Sequence, residues 1–192
     1  MTRMPSPTRR ELLTTSLLLP LAASADARAA PGDGRTLVAR FSRSGNTRVI
    51  AGQIARSLQA DSFEIQPARP YPDDYFETVE QATQERDRGY EPPLAASVER
   101  MAGYETIYLG FPIWGMTAPP VIRSFLSGHD LAGKTIVPFV THGGYGLGDS
   151  LEVVARHAPQ AHLMEGLTME RPQERQTIER VTQWLQQLDI ER

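Results

Sequence analysis

The sequence predicts an α/β fold: a doubly wound, five-stranded parallel sheet of order 2-1-3-4-5 with helices on both faces. Three observations lead there. Strand-like and helix-like stretches alternate from Thr36 to Leu188, the pattern of successive β-α-β units. Several strands are almost continuously apolar, Ile136-Val137-Pro138-Phe139-Val140 among them, as burial on both sides requires. Right-handed crossovers between five such strands favour this order, which places ligands at the carboxyl ends of the strands beside the point where the order reverses.

The first strand is Thr36 to Phe41, and Val49, Ile50, Ile54 and Leu58 give helical spacing to Thr47 to Gln59. Ser62 to Gln66 is the second strand. A charged helix follows from Asp74 to Arg88, and Tyr71, Tyr75, Phe76 and Val79 are expected to pack it onto the domain. The third strand, Thr106 to Gly110, leads to a helix from Pro119 to Ser127, where proline suits the first turn. Thr135 to Val140, Asp149 to His157 and His162 to Thr168 complete the alternation. The last helix, Gln173 to Leu188, carries Ile178, Val181, Trp184, Leu185 and Leu188 as an apolar stripe that closes the fold.

The first 29 residues stand apart. Arg9-Arg10 precedes the apolar run Leu17-Leu18-Leu19-Pro20-Leu21-Ala22-Ala23, and Ala27-Arg28-Ala29 has the small-x-small form of a cleavage site. The run is too short for a membrane span of ~20 apolar residues, so 1–29 reads as a cleaved twin-arginine export signal and 30–192 as one domain. The expected location is periplasmic or otherwise exported, with the twin-arginine translocase as a partner during export. No stable membrane insertion is expected after cleavage. That route carries folded, often cofactor-loaded proteins. Cleavage leaves 16 basic against 21 acidic residues, a formal charge of −5.

Composition excludes other chemistry. The absence of cysteine rules out disulfides, thiolate-ligated zinc and iron–sulfur clusters. His129, His142, His157 and His162 lack ligand spacing, so no metal is expected. No polybasic run or aromatic-basic alternation points to nucleic acid.

The three loops at the switch point carry the signal. The first, Ser42-Arg43-Ser44-Gly45-Asn46-Thr47, places hydroxyls and backbone N–H groups at a helix N-terminus, where phosphate binds. Read alone, it is equally an ordinary capped helix. A Walker-type site is excluded, because Lys134 is the sole lysine and lies elsewhere. The second runs from Phe111 through Pro112-Ile113-Trp114-Gly115-Met116-Thr117 to Pro120, and the third from Thr141-His142-Gly143-Gly144-Tyr145 to Gly146-Leu147-Gly148-Asp149. The third imitates a dinucleotide motif, but Asp149 stands where its last glycine belongs. No Gly-x-Ser-x-Gly elbow suggests a hydrolase.

Together these loops resemble the flavodoxin family, in the branch with S-R-[ST]-G-N-T, P-I-W and T-x-G-G-x-G-x-G in this order. The resemblance covers essentially the whole of residues 30–192. It implies bound FMN, held by Ser42 to Thr47 at the phosphate and by Pro112, Ile113, Trp114, Gly115, Met116, Thr141, His142, Gly143, Gly144, Tyr145 and Gly148 around the ring. Trp114 is the candidate for one side of that ring and Tyr145 for the other, a core anchor and an exposed turn residue being the competing readings. The short path from His162 to Gln173 leaves no room for the ~20-residue insertion of long-chain flavodoxins.

Three departures stand out. Arg40 replaces an aromatic residue, Gly115-Met116 replaces an aromatic-Gly pair, and His142 and Tyr145 replace small residues. The lost ring leaves the second loop more open, as a small substrate needs. Three functions follow. The favoured one is an exported electron carrier with a redox protein partner, docking through an acidic rim of Asp73, Asp74, Glu77, Glu80, Glu85 and Asp87. The others are an NAD(P)H- or quinol-linked FMN oxidoreductase acting on a small electron acceptor such as a quinone, and a non-redox module that binds no flavin. His142 is the candidate proton donor of the enzyme reading, a solvated loop residue being the alternative.

Overall fold

In the computed structural model, residues 35–170 and 174–190 are described. The expected export signal, its expected cleavage site and the expected domain start at residue 30 lie outside them. The strands are β1 (Arg35–Arg40), β2 (Asp61–Glu64), β3 (Tyr104–Pro112), β4 (Thr135–His142), β5 (His162–Leu163) and β6 (Leu167–Glu170). The helices are α1 (Asn46–Leu58), α2 (Tyr75–Asp87), α3 (Pro120–Ser127), α4 (Ser150–His157) and α5 (Glu174–Ile190), with one short 3₁₀ turn at Met101–Gly103.

The sheet runs β2-β1-β3-β4-β5, parallel throughout, as the alternation predicts. Its fifth position is split, since β5 pairs with Thr135 and Ile136, and β6 with Phe139 to His142. The break has a cause in β4. Ile136 accepts from Met164 N–H on the fifth-strand side, and backbone groups alternate sides along a strand, so Pro138 turns its missing N–H toward that neighbour.

Side-chain alternation sorts the core into two layers. Leu37, Ala39, Ile107, Leu109 and Phe111 face α3 and α4, where Val121, Ile122, Phe125 and Val154 meet them. Val38, Tyr108, Val137 and Phe139 face the other way, onto Ile50 and Ile54 of α1 and Val181 and Leu185 of α5. This two-sided burial leaves the carboxyl ends of β1, β3 and β4 side by side as an exposed edge of the core.

Two packing expectations are corrected. Tyr75, Phe76 and Val79 stand exposed, Phe76 by 78%. The inward positions of α2 are Thr78, Ala82 and Glu85 instead, because the buried Glu85 carboxylate accepts from Tyr71 Oη at 2.8 Å and from Gln81 at 2.8 Å. Glu85 is therefore no part of an acidic rim, and Asp74 is spent capping α2 through Phe76 N–H and Glu77 N–H. On α5, Ile178 also lies outside the closing stripe, largely exposed. Arg40 finds its partners on β2, donating to Ser62 Oγ at 2.8 Å and pairing with Glu64 at 3.3 Å. Arg48 shares that carboxylate at 3.1 Å.

Candidate functional site

The first loop ends in Gly45, which precedes α1 in the left-handed conformation and has no side chain with which to cap it. Apart from Arg48 N–H, which Ser42 accepts, the first-turn N–H groups of α1 and the positive end of its dipole open onto the strand ends. Ser44 and Asn46 are exposed there, and Ser42 is half-buried with its Oγ accepting from Arg48 N–H at 3.3 Å. Thr47 is turned inward. Its buried hydroxyl lies 2.9 Å from Thr141 Oγ1, tying the first loop to the end of β4. Arg43 is exposed and donates to the Asp73 carbonyl.

The second loop is a tight hairpin. Trp114 and Thr117 exchange backbone hydrogen bonds of 3.0 and 3.2 Å, and the residues between them, Gly115 and Met116, have φ of 55° and 65°. Positive φ at both central positions is the type I′ pattern, which glycine adopts freely and methionine does not. Trp114 is half-buried and packs edge-on against Phe41 at 5.2 Å and Tyr71 at 4.9 Å. Burial, the hydrogen bond to Glu85 and its negative charge push the Tyr71 hydroxyl well above the ordinary tyrosine range.

The third loop is stitched to the second by backbone. Ile113 N–H donates to the Thr141 carbonyl at 2.8 Å and Asp149 N–H to the Met116 carbonyl at 3.1 Å. Gly148, with φ of 55°, approaches so closely that a Cβ there would lie 1.7 Å from Met116 O. His142 Nδ1 accepts from Gly144 N–H at 3.1 Å and Gly146 N–H at 3.4 Å. Nδ1 is thereby engaged as an acceptor. Gly143 and Gly144 are exposed in the turn.

The three loops thus come together. Tyr145 is 82% exposed in the third loop and makes no ring contact among the described residues. Sequence reasoning missed the contribution of α2. A cavity of about 370 Å³ lies between the first two loops and that helix, lined by Arg43, Ser44, Val79, Arg86, Trp114 and Thr117 among others. The inverted face of α2, with large apolar residues outward, was the signal available for it. A wider cleft of about 800 Å³ near Arg69, Arg88 and Tyr90 holds no residue of the three loops.

Known proteins bear on this geometry. The family model described as flavodoxin matches residues 35–188. A structure from Bacteroides uniformis assigned as a flavoprotein is 30% identical, covering 78% of this chain and 98% of its own, with a TM-score of 0.69. A second, from Bacteroides eggerthii, is 31% identical over 80% of this chain and 97% of its own, with a TM-score of 0.70. A Lactobacillus acidophilus flavoprotein solved in complex with FMN is 16% identical, covers 78% of this chain and 99% of its own, and at a TM-score of 0.64 shares the fold. No curated protein gives a significant match. The strand order, the three loops at its switch point and the match across nearly all described residues lead to one conclusion: this chain belongs to the flavodoxin family.

Proposed function

We propose that the protein binds FMN across these three loops and serves as an exported electron-transfer flavoprotein of the S-R-[ST]-G-N-T branch. The observation that carries the reading is the N-terminus of α1, whose N-cap residue Gly45 offers no capping side chain, where Ser42 takes the Arg48 N–H, and which is held against the third loop by the Thr47–Thr141 pair. A doubly charged phosphate suits such an end, where free N–H groups and the helix dipole act together. Ser42, Ser44, Gly45 and Asn46 are the residues for that role. Thr47 positions the loop, because its hydroxyl is already engaged.

FMN supplies one- or two-electron redox chemistry when bound. Pro112 to Met116 and Thr141 to Gly148 are the groups for the ring, offering backbone polar atoms and the Trp114 indole to a flat molecule with polar edges. The chain's charges bear on its potential. Arg40 and Arg48 share Glu64 alone, and Asp149 lies 3.8 Å from Arg156. Glu170, its carboxylate beside Gly144, adds an acid at the third loop, so the charge around the three loops is mixed rather than strongly negative. The hydroquinone couple is expected to be less negative than that of strongly acidic flavodoxins, ~1.4 kcal/mol of net charge interaction corresponding to ~59 mV for one electron. Spectroelectrochemical titration reads this directly, and a very low second potential would refute it.

The visible spectrum of the purified protein, with mass spectrometry of what denaturation releases, tests the cofactor. A yellow protein releasing FMN supports the reading; a colourless one that takes up no added FMN overturns it in favour of a non-redox module. The oxidoreductase reading draws on the cavity beside Trp114, which gives a small acceptor somewhere to sit. Steady NADH oxidation with a quinone would favour it over the carrier. Export rests on Arg9-Arg10 and Ala27-Arg28-Ala29; the mass of the protein recovered from a producing bacterium should correspond to residues 30–192.

A further inference from the structure

We infer that the cavity between α2 and the second loop is a binding site for a small planar anion, with Arg86 as its charge contact. This deepens the FMN reading and rests on it for the occupant's role as an electron-exchange partner, whereas the binding itself does not depend on flavin. At about 370 Å³ the space suits a molecule of two or three fused rings. Its walls divide by chemistry. Val79, Ala82, Ile113 and Trp114 supply apolar and aromatic surface, while Arg43 and Arg86 supply two guanidinium groups. No carboxylate is among its described lining residues.

Arg86 is held where a ligand would meet it. Its Nε lies 3.1 Å from Asp87 Oδ1, which anchors one edge of the guanidinium. An Nη nitrogen hangs over the hairpin, 2.8 Å from where a Cβ at position 115 would be. Gly115 thus leaves the room that the guanidinium occupies. A planar, half-desolvated guanidinium with donors to spare favours carboxylate or sulfonate oxygens over neutral groups.

Thr117 also lines the cavity, and its Oγ1 is buried beneath that wall without a hydrogen-bond partner among the described residues. The cavity adjoins the proposed cofactor site: Arg43, Ser44 and Pro112 to Gly115 line it and belong to that site too, whereas Asn46, Thr47 and the third loop do not line it.

The test titrates anthraquinone-2-sulfonate into the FMN-loaded protein by calorimetry, with menadione as the neutral ring control. One-to-one binding of the sulfonate is expected. Arg86→Gln should weaken it about tenfold, the worth of one charge-assisted hydrogen bond, while menadione binding and FMN affinity stay within about twofold. Unchanged FMN affinity also shows that the variant is folded. The inference is overturned if the wild type binds no sulfonate, if Arg86→Gln binds it as well as the wild type, or if the variant loses FMN in proportion, which would make the cavity part of the cofactor site. Should the wild type take up no FMN, the cofactor reading fails by itself, and the same titration on the flavin-free protein still decides the cavity.

Discussion

The two sides of the second loop are built differently. Toward the third loop, the contact is backbone on backbone: Gly148 against the Met116 carbonyl, Asp149 N–H on that same oxygen, and Ile113 N–H on Thr141 O. Toward α2, the contact is made by side chains around a cavity, with Arg86 over Gly115 and Trp114 wedged against Tyr71. Backbone contacts tolerate little change, because any added atom meets a carbonyl that cannot move alone. Side-chain contacts can be exchanged one at a time. On the proposed function, the difference would separate what holds the cofactor from what meets a partner.

The sharpest way to break this comparison is at Gly148. A methyl group there would lie 1.7 Å from Met116 O, on a residue whose φ of 55° already disfavours a Cβ. Gly148→Ala should cost about 2–4 kcal/mol by overlap and backbone strain together. Urea denaturation checks it through the midpoint at constant slope, and FMN affinity should fall in parallel. An unshifted midpoint would mean that the two loops are not locked by backbone after all.

A smaller effect is expected where the first loop joins the third. Thr47→Val or Thr141→Val alone strands a buried hydroxyl, at a cost of about 1–3 kcal/mol. The double variant should cost less than the sum, with a coupling of about 0.5–2 kcal/mol in the cycle. FMN affinity sharpens the assignment further. Equal losses for the two single variants fit a positioning role for Thr47, whereas a loss confined to Thr47→Val would return its hydroxyl to the phosphate.

These two sites show which parts of the fold were legible in the sequence. The strands and helices follow local patterning, and the alternation around Leu37, Val38 and Ala39 or along α1 survives unchanged as two core layers. The loops were legible because Gly, Ser and Pro punctuate the strand ends. Pairings between distant residues were not. Thr47 and Thr141 are 94 positions apart, and nothing local distinguishes a hydroxyl facing phosphate from one facing another threonine. Glu85 reads as a surface acid until Tyr71 is brought over it. The fifth strand reads as unbroken from His162 to Thr168, and only its pairing with β4 shows that Pro138 splits it.

Met116 tests the adaptable side at a modest scale. It sits at φ of 65° with its side chain half in solvent, so its conformation is disfavoured and its packing contributes little. Met116→Gly should stabilise the protein by about 0.5–1 kcal/mol, relief of strain outweighing the extra freedom of the unfolded chain. A rise of a few degrees in Tm, ~4 °C per kcal/mol at this size, is the expected readout. A fall would show that the methionine side chain makes contacts worth more than the strain.

The smallest effect is a difference in slope that appears only in alkali. Tyr71 supports Trp114, and its hydroxyl is held protonated by burial and by Glu85 beyond the ordinary value of 10.0. Since the folded state keeps this proton longer than the unfolded chain, the contribution is fully present below pH 10 and is lost as pH rises through the folded-state value. Tyr71→Phe removes the titrating group while keeping the ring against Trp114. Its stability should therefore decline less steeply than the wild type's above pH 10, measured by urea midpoints across that range. If the wild type and Tyr71→Phe decline together, the phenol is not buried against Glu85, and the wall that holds Trp114 beside the cavity is looser than its contacts imply.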